Sequence, residues 1–102
     1  MKLNTKQIKY LRSQGHSLSP IVTVADRGLT ETVIDAIHEA LEIHELVKVK
    51  VRQERDARAK TCDAICKKTG ALDVQRIGMV FLIYKPSKKS KIDLPGPKLK
   101  AK

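Results

Sequence analysis

The sequence predicts a single α/β domain in the order α-β-α-β-α-β-β, built on a four-stranded mixed sheet. Three observations predict it. Apolar residues switch repeatedly between helical spacing and strict alternation. The two long connections each hold a helix of the length that a strand–helix–strand crossover needs, which favours parallel pairs. The last two apolar runs are separated by little more than Gly78 and read as an antiparallel hairpin. The 102 residues suffice for one core and are too few for two. The helices are expected to cover one face of the sheet.

Asn4 reads as a helix N-cap, with Gln7 completing a capping box and Leu3 and Ile8 at the staple positions. Ile8 and Leu11 form the apolar stripe of this first helix, Lys6, Lys9 and Arg12 step along another face, and Gly15 is a natural stop. Residues 16–20 connect it to Ile21-Val22-Thr23-Val24, a β-rich run that reads as a buried strand. Ala25-Asp26-Arg27-Gly28 is a turn, and Thr30 caps a second helix over about 30–44, with Leu29 and Ile34 again at staple positions. Val33, Ile34, Ile37 and Leu41 face inward there. In the segment 46–51, Val47, Val49 and Val51 alternate toward the core against outward Lys48 and Lys50, a row that Arg52 continues. A polar stretch, residues 53–60, leads into a third helix that ends near Gly70 and has a thin inner face of Ala59, Cys62, Ile65 and Cys66. Strands near 72–77 and 80–84 follow. Beyond Pro86 the chain carries Pro95, Pro97 and six lysines and nothing to pack, so it is expected to be disordered from Pro86 onward. The domain is drawn over 1–94, with 95–102 a disordered basic tail.

Charge bounds the function. Lys and Arg total 21 against 11 acids, a formal net charge of +10, which attracts polyanions, nucleic acid first and an anionic membrane surface second. The charge is polarised. Residues 25–45 hold Asp26, Glu31, Asp35, Glu39, Glu42 and Glu45 against Arg27 alone, whereas both flanks are basic. Such polarity suits a docking face. No run is long enough to span a membrane, the start lacks the apolar core of a signal peptide, and two cysteines without such a signal do not make a disulfide scaffold. A reducing, cytoplasmic setting is expected.

Catalytic readings find no support. His38 and His44 lie on different faces of their helix, and Cys62 and Cys66 share a face but lack further ligands, so they read as small core residues. No nucleophile triad, P-loop or dinucleotide motif is present. No metal, cofactor or enzymatic activity is expected. The strongest local feature is the strand–turn–helix from Ile21 to Leu41. It presents the amides of residues 28–32 at a helix N-terminus, where they and the helix dipole favour a phosphate. Arg27 adds a charge, and Gly28 permits positive φ or close approach. The outward row Lys48, Lys50 and Arg52, with Arg76, Lys85, Lys88 and Lys89, forms a candidate basic surface. With Tyr10, Phe81 and Tyr84 the only aromatics, a stacking platform is disfavoured and recognition should rest on backbone and shape. Tyr84 reads as packing a sheet edge, with base stacking the alternative.

Gly28-Leu29-Thr30-Glu31, Ala40-Leu41-Glu42 and His44-Glu45-Leu46-Val47-Lys48-Val49-Lys50-Val51, followed by Thr69-Gly70-Ala71, Val74-Gln75-Arg76-Ile77-Gly78 and Leu82-Ile83-Tyr84-Lys85-Pro86, together resemble the CRM domain (chloroplast RNA splicing and ribosome maturation) in its stand-alone bacterial YhbY form. The resemblance is colinear from about residue 2 to about residue 94. It implies a fold like the C-terminal domain of the third bacterial translation initiation factor. It also implies RNA binding through a GxxG loop and a neighbouring basic surface, and association with the precursor of the large ribosomal subunit. That loop falls on Ala25, Asp26, Arg27 and Gly28, where Ala25 replaces the first Gly and Asp26 sets a negative charge beside Arg27.

The expected function is a monomeric, cytoplasmic assembly factor that binds ribosomal RNA, with ribosomal proteins as further partners. The rival is a protein-interaction adaptor that uses the acidic second helix, whose Glu31, Asp35 and Glu39 recur every fourth residue.

Overall fold

The computed structural model describes residues 3–86 together with Ile92, Leu94 and Pro95. Helix α1 (Thr5–Gly15) starts on a complete capping box: Gln7 N donates to Asn4 Oδ1 (2.8 Å) and Asn4 N to Gln7 Oε1 (3.0 Å). Strand β1 (Val22–Val24) leads through the turn at 25–28 into α2 (Glu31–His44), whose cap Thr30 accepts from Val33 N at 3.2 Å. Strand β2 (Leu46–Val51), α3 (Arg55–Thr69), β3 (Leu72–Ile77) and β4 (Val80–Tyr84) complete the expected order. The sheet runs β1-β2-β4-β3, with β1 parallel to β2 and the other pairs antiparallel. The crossover through α3 therefore spans β4, the strand that seals the middle of the sheet.

The sheet is covered on both faces, not one. Val47, Val49, Val51, Phe81 and Ile83 pack under α2 and α3 with Ile37, Leu41 and Ile65. On the reverse face Leu46, Leu82, Tyr84 and Val74 pack under Leu11 of α1. The alternation of β2 hides this, because Leu46 and Lys48 share the second face and only Leu46 announces a core there. Tyr84 is fully buried in this second cluster, which leaves it a packing role and removes base stacking.

Gly15 shows why α1 can lie so close. It is not at positive φ, so it is not the left-handed cap that its position suggested, and His16 continues in αR. A Cβ at Gly15 would stand 2.5 Å from Leu82 Cδ2, and Leu82 is itself buried. Gly15→Val is expected to cost about 1–3 kcal/mol by overpacking, read as a lower midpoint in denaturant with an unchanged m-value. An unchanged midpoint would mean that α1 slides freely.

Helix α3 starts at Arg55, earlier than the polar run suggested. Glu54 stands at its N-cap without a side-chain bond. Ala57, Ala59 and the long cations are good helix formers, and Arg58 Nη1 donates to Gln53 O at 3.0 Å. Its left-handed end, Gly70 at φ +76, matches the expected stop. Thr69 Oγ1 donates to Ile65 O and accepts from Ala71 N.

Strand β3 is an edge strand with a bulge between Asp73 and Gln75. Arg12 Nε donates to Val74 O at 3.2 Å, which satisfies a carbonyl exposed at the bulge. The register shift turns both Val74 and Gln75 toward α1 and sends Arg76 to the opposite face. Residues i and i+3 of a regular strand point to opposite faces. Here Asp73 and Arg76 share one, and they pair at 2.9 Å.

Against the disorder expected from Pro86 onward, the residues described beyond it, Ile92, Leu94 and Pro95, return to the domain. Leu94 is buried and Ile92 lies against the α1 cluster. Pro95 O accepts from Gln7 Nε2 at 3.2 Å, and Ile92 N donates to Glu45 Oε1 at 2.9 Å. Glu45 is the one non-glycine at positive φ (+62) among the described residues, a strained conformation. It is held there by Leu41 O, which accepts from its N–H, and by Lys85 N, which donates to its carbonyl, both at 2.9 Å. Lys88, Lys89 and residues 96–102 lie outside the described residues.

Candidate nucleic-acid interface

The turn at 25–28 closes with Gly28 N donating to Ala25 O at 2.9 Å, and Thr30 N donates to Gly28 O at 3.1 Å. Gly28 takes φ +73, so positive φ is required at the second glycine position of the loop motif. Ala25 is not among the positive-φ residues, so it fills the first position in ordinary backbone. Ala25, Asp26 and Arg27 are exposed, at the N-terminal end of α2.

The end of β2 lies alongside. Parallel pairing sets Val24 against Val51, and Arg52 N donates to Val24 O at 2.7 Å. Arg52 is exposed and so stands next to the loop. Gln53 then fastens the loop from below: its Nε2 donates to Ala25 O at 3.4 Å. Its Oε1 accepts from Thr61 Oγ1 and its carbonyl from Arg58 Nη1. Nothing in the sequence singles out Gln53. Only the parallel register brings it to the loop, and its sole local signal is its place just past the strand end.

The predicted basic residues divide into groups. Arg27 and Arg52 gather with Gly28 at the C-terminal ends of β1 and β2. Lys48 and Lys50 lie half-buried on the α1 face of β2, and Lys48 Nζ donates to Leu18 O at 2.8 Å. Arg76 lies on the other face, paired with Asp63 (2.8 Å) and Asp73 and 5.0 Å over the Phe81 ring. Its charge is largely balanced within the fold. Lys85 is at the far end of the sheet, since Leu46 pairs with Tyr84; the five steps of β2 between them span about 17 Å. Lys85 Nζ donates to Thr69 O at 2.8 Å, closing the C-terminal end of α3 where a cation is favoured.

The cysteines belong to the core. Cys62 is buried and Cys66 packs against the same cluster. Burial pushes the Cys66 thiol up to about 11 and raises that of Cys62, with nearby Asp73 adding to both and Arg76 opposing both. A thiol raised in the fold stabilises it fully below its ordinary 9.0 and loses that contribution as pH climbs toward 11. Alkylation of Cys66 in the folded protein is therefore expected to keep accelerating about tenfold per pH unit above pH 9. A plateau at 9, as in the unfolded chain, would contradict the burial. Among the described residues no cluster of His, Cys, Asp and Glu could hold a metal ion, and no helix is long and apolar enough to cross a membrane.

Against known proteins, residues 3–85 match the CRS1 / YhbY (CRM) domain model. An RNA-binding protein of Haemophilus influenzae is 43% identical over 91% of this chain and 95% of its own. The Bacillus subtilis protein named a probable RNA-binding protein, YqeI, is 40% identical over 91% of this chain and 99% of its own. A solution structure of a Staphylococcus aureus protein, for which RNA binding was suggested, superposes with a TM-score of 0.80 at 36% identity, covering 92% of this chain and all of that one.

Proposed function

This chain belongs to the CRS1 / YhbY (CRM) domain family, and we propose on that premise that it binds ribosomal RNA in precursors of the large ribosomal subunit, as an assembly factor and not as an enzyme. The observation that carries the reading is the exposed loop at 25–28. Its Gly28 opens the N-terminus of α2 toward solvent, with Arg27 at the tip and Arg52 beside it. Amides at a helix N-terminus flanked by two guanidinium groups suit a backbone phosphate. Lys48 and Lys50 extend positive charge along the α1 face of the sheet, where a structured RNA would be read by shape and phosphate spacing. RNA binding in the names of its relatives supports the same reading. Residues 1–94 form the RNA-binding domain and 95–102 a basic tail that adds sequence-independent affinity. The protein works in the cytoplasm as a monomer.

Sedimentation of cell lysate on a sucrose gradient tests this. Co-migration with large-subunit precursors, abolished by RNase, is the expected result; protein left at the top in low salt would count against it. One observation favours an adaptor role as a second reading. Exposed Ile43 adjoins exposed Glu42 on α2, whose Glu31, Asp35 and Glu39 are also exposed, an acidic helix with an apolar residue at its end, suited to a basic protein. Persistence on the particle after RNase would favour it.

A further inference from the structure

The first turns of α3 and the β3–β4 hairpin enclose a cleft of about 350 Å³. Buried Val51 and Phe81 line it along with Arg55, Arg58, Arg76 and exposed Met79. We propose that this cleft takes an unstacked nucleobase from the RNA strand whose backbone meets the loop at 25–28, an inference that rests on the RNA-binding reading above.

Three features argue for a base and against a bare phosphate. Part of the lining is apolar, and a phosphate gains nothing from Val51, Phe81 or Met79, whereas a base face does. Arg76 is already balanced by Asp63 and Asp73 and stands over the Phe81 ring. What it offers is therefore a guanidinium plane of fixed orientation on which a base can stack. Arg55 is exposed and makes no ion pair among the described residues, and Arg58 spends only Nη1, on Gln53 O. Their remaining donors can reach a base edge or its flanking phosphate.

The cleft is also tied to the loop. Gln53 bonds Ala25 with its side chain and receives Arg58 at its carbonyl, so a single residue joins the phosphate-facing turn to the helix that walls the cleft. A strand held at the loop thus has its neighbouring nucleotide beside the arginines.

The chain has two methionines, Met1 and Met79, so protein labelled with 13C at the methionine methyls gives a direct probe. The ligands are a single-stranded purine hexamer and an abasic hexamer of equal charge. The purine hexamer should move the Met79 methyl upfield by ring current, and the abasic one should not. Arg55→Ala should weaken the purine hexamer on the order of tenfold, the scale of a lost contact to a base edge, and the abasic one much less. Arg27→Glu should weaken both by a similar factor. Equal affinity for the two hexamers with Met79 unmoved would overturn the cleft and leave RNA binding standing. Failure of both hexamers to bind while structured RNA still binds would likewise overturn the cleft, and failure of structured RNA as well would remove the RNA-binding reading with it.

Discussion

Arg27→Glu is expected to weaken binding to structured RNA about tenfold or more near 0.1 M salt and to leave the fold intact. Arg27 is exposed at the tip of the turn, and neither the Gly28–Ala25 bond nor the Gln53 brace involves its side chain. Reversal removes one phosphate contact and sets a second negative charge beside Asp26. Losing one contact should lower the slope of log K against log salt by about 0.7–0.9. Filter binding across a salt series, with circular dichroism as the control for folding, reads both quantities. Arg52→Glu should behave alike because its backbone is bonded to Val24 at the same strand end. Lys85 makes the contrast: its ammonium is engaged on Thr69 O, so Lys85→Ala should lower stability more than affinity. Wild-type affinity in Arg27→Glu, with a wild-type spectrum, would remove the loop from the RNA site.

Leu94→Ala is expected to cost about 2–3 kcal/mol, the lower part of the range for a buried leucine, since Leu94 sits at the margin of its cluster at 8% exposure. For a domain of this size that lowers Tm by on the order of 10 °C. The effect should reach further than the lost methyls. Leu94 lies between the Ile92 N–H that Glu45 accepts from and the Pro95 carbonyl that Gln7 holds. Loosening it exposes a carboxylate that is otherwise fully buried on a strained backbone. Removal of residues 96–102, which takes Lys98, Lys100 and Lys102 with it, should lower RNA affinity in a salt-dependent way. Thermal melts read the Leu94 prediction; equal Tm in Leu94→Ala and wild type would mean that Leu94 contributes no core.

Much of the fold was legible because its signals are local. Asn4 with Gln7, Thr30, Gly70 and the alternation of Val47, Val49 and Val51 each act within a few residues, so spacing alone carries them. The family pattern likewise located the loop at 25–28, and Gly28 meets its positive φ. The predicted basic surface was less legible. Residues named together by charge were divided by the sheet, with Lys48 and Lys50 on one face, Arg76 on the other and Lys85 at the distal end. Charge in a sequence has sign and position but no face, and a single bulge in β3 decides which face Arg76 takes.

The sequence by itself determined the order of elements, the caps at Asn4 and Thr30, the stop at Gly70, the polarised charge and the family. These depend on backbone conformation and side-chain type within one or two turns of chain. Tertiary structure alone decided that both sheet faces are covered, that Gly15 exists to admit Leu82, that Glu45 anchors Ile92, and that Gln53 braces the loop at 25–28. Each of these joins residues distant in sequence through strand register or close packing. Register and packing are properties of the assembled sheet, where a shift of one residue exchanges its faces.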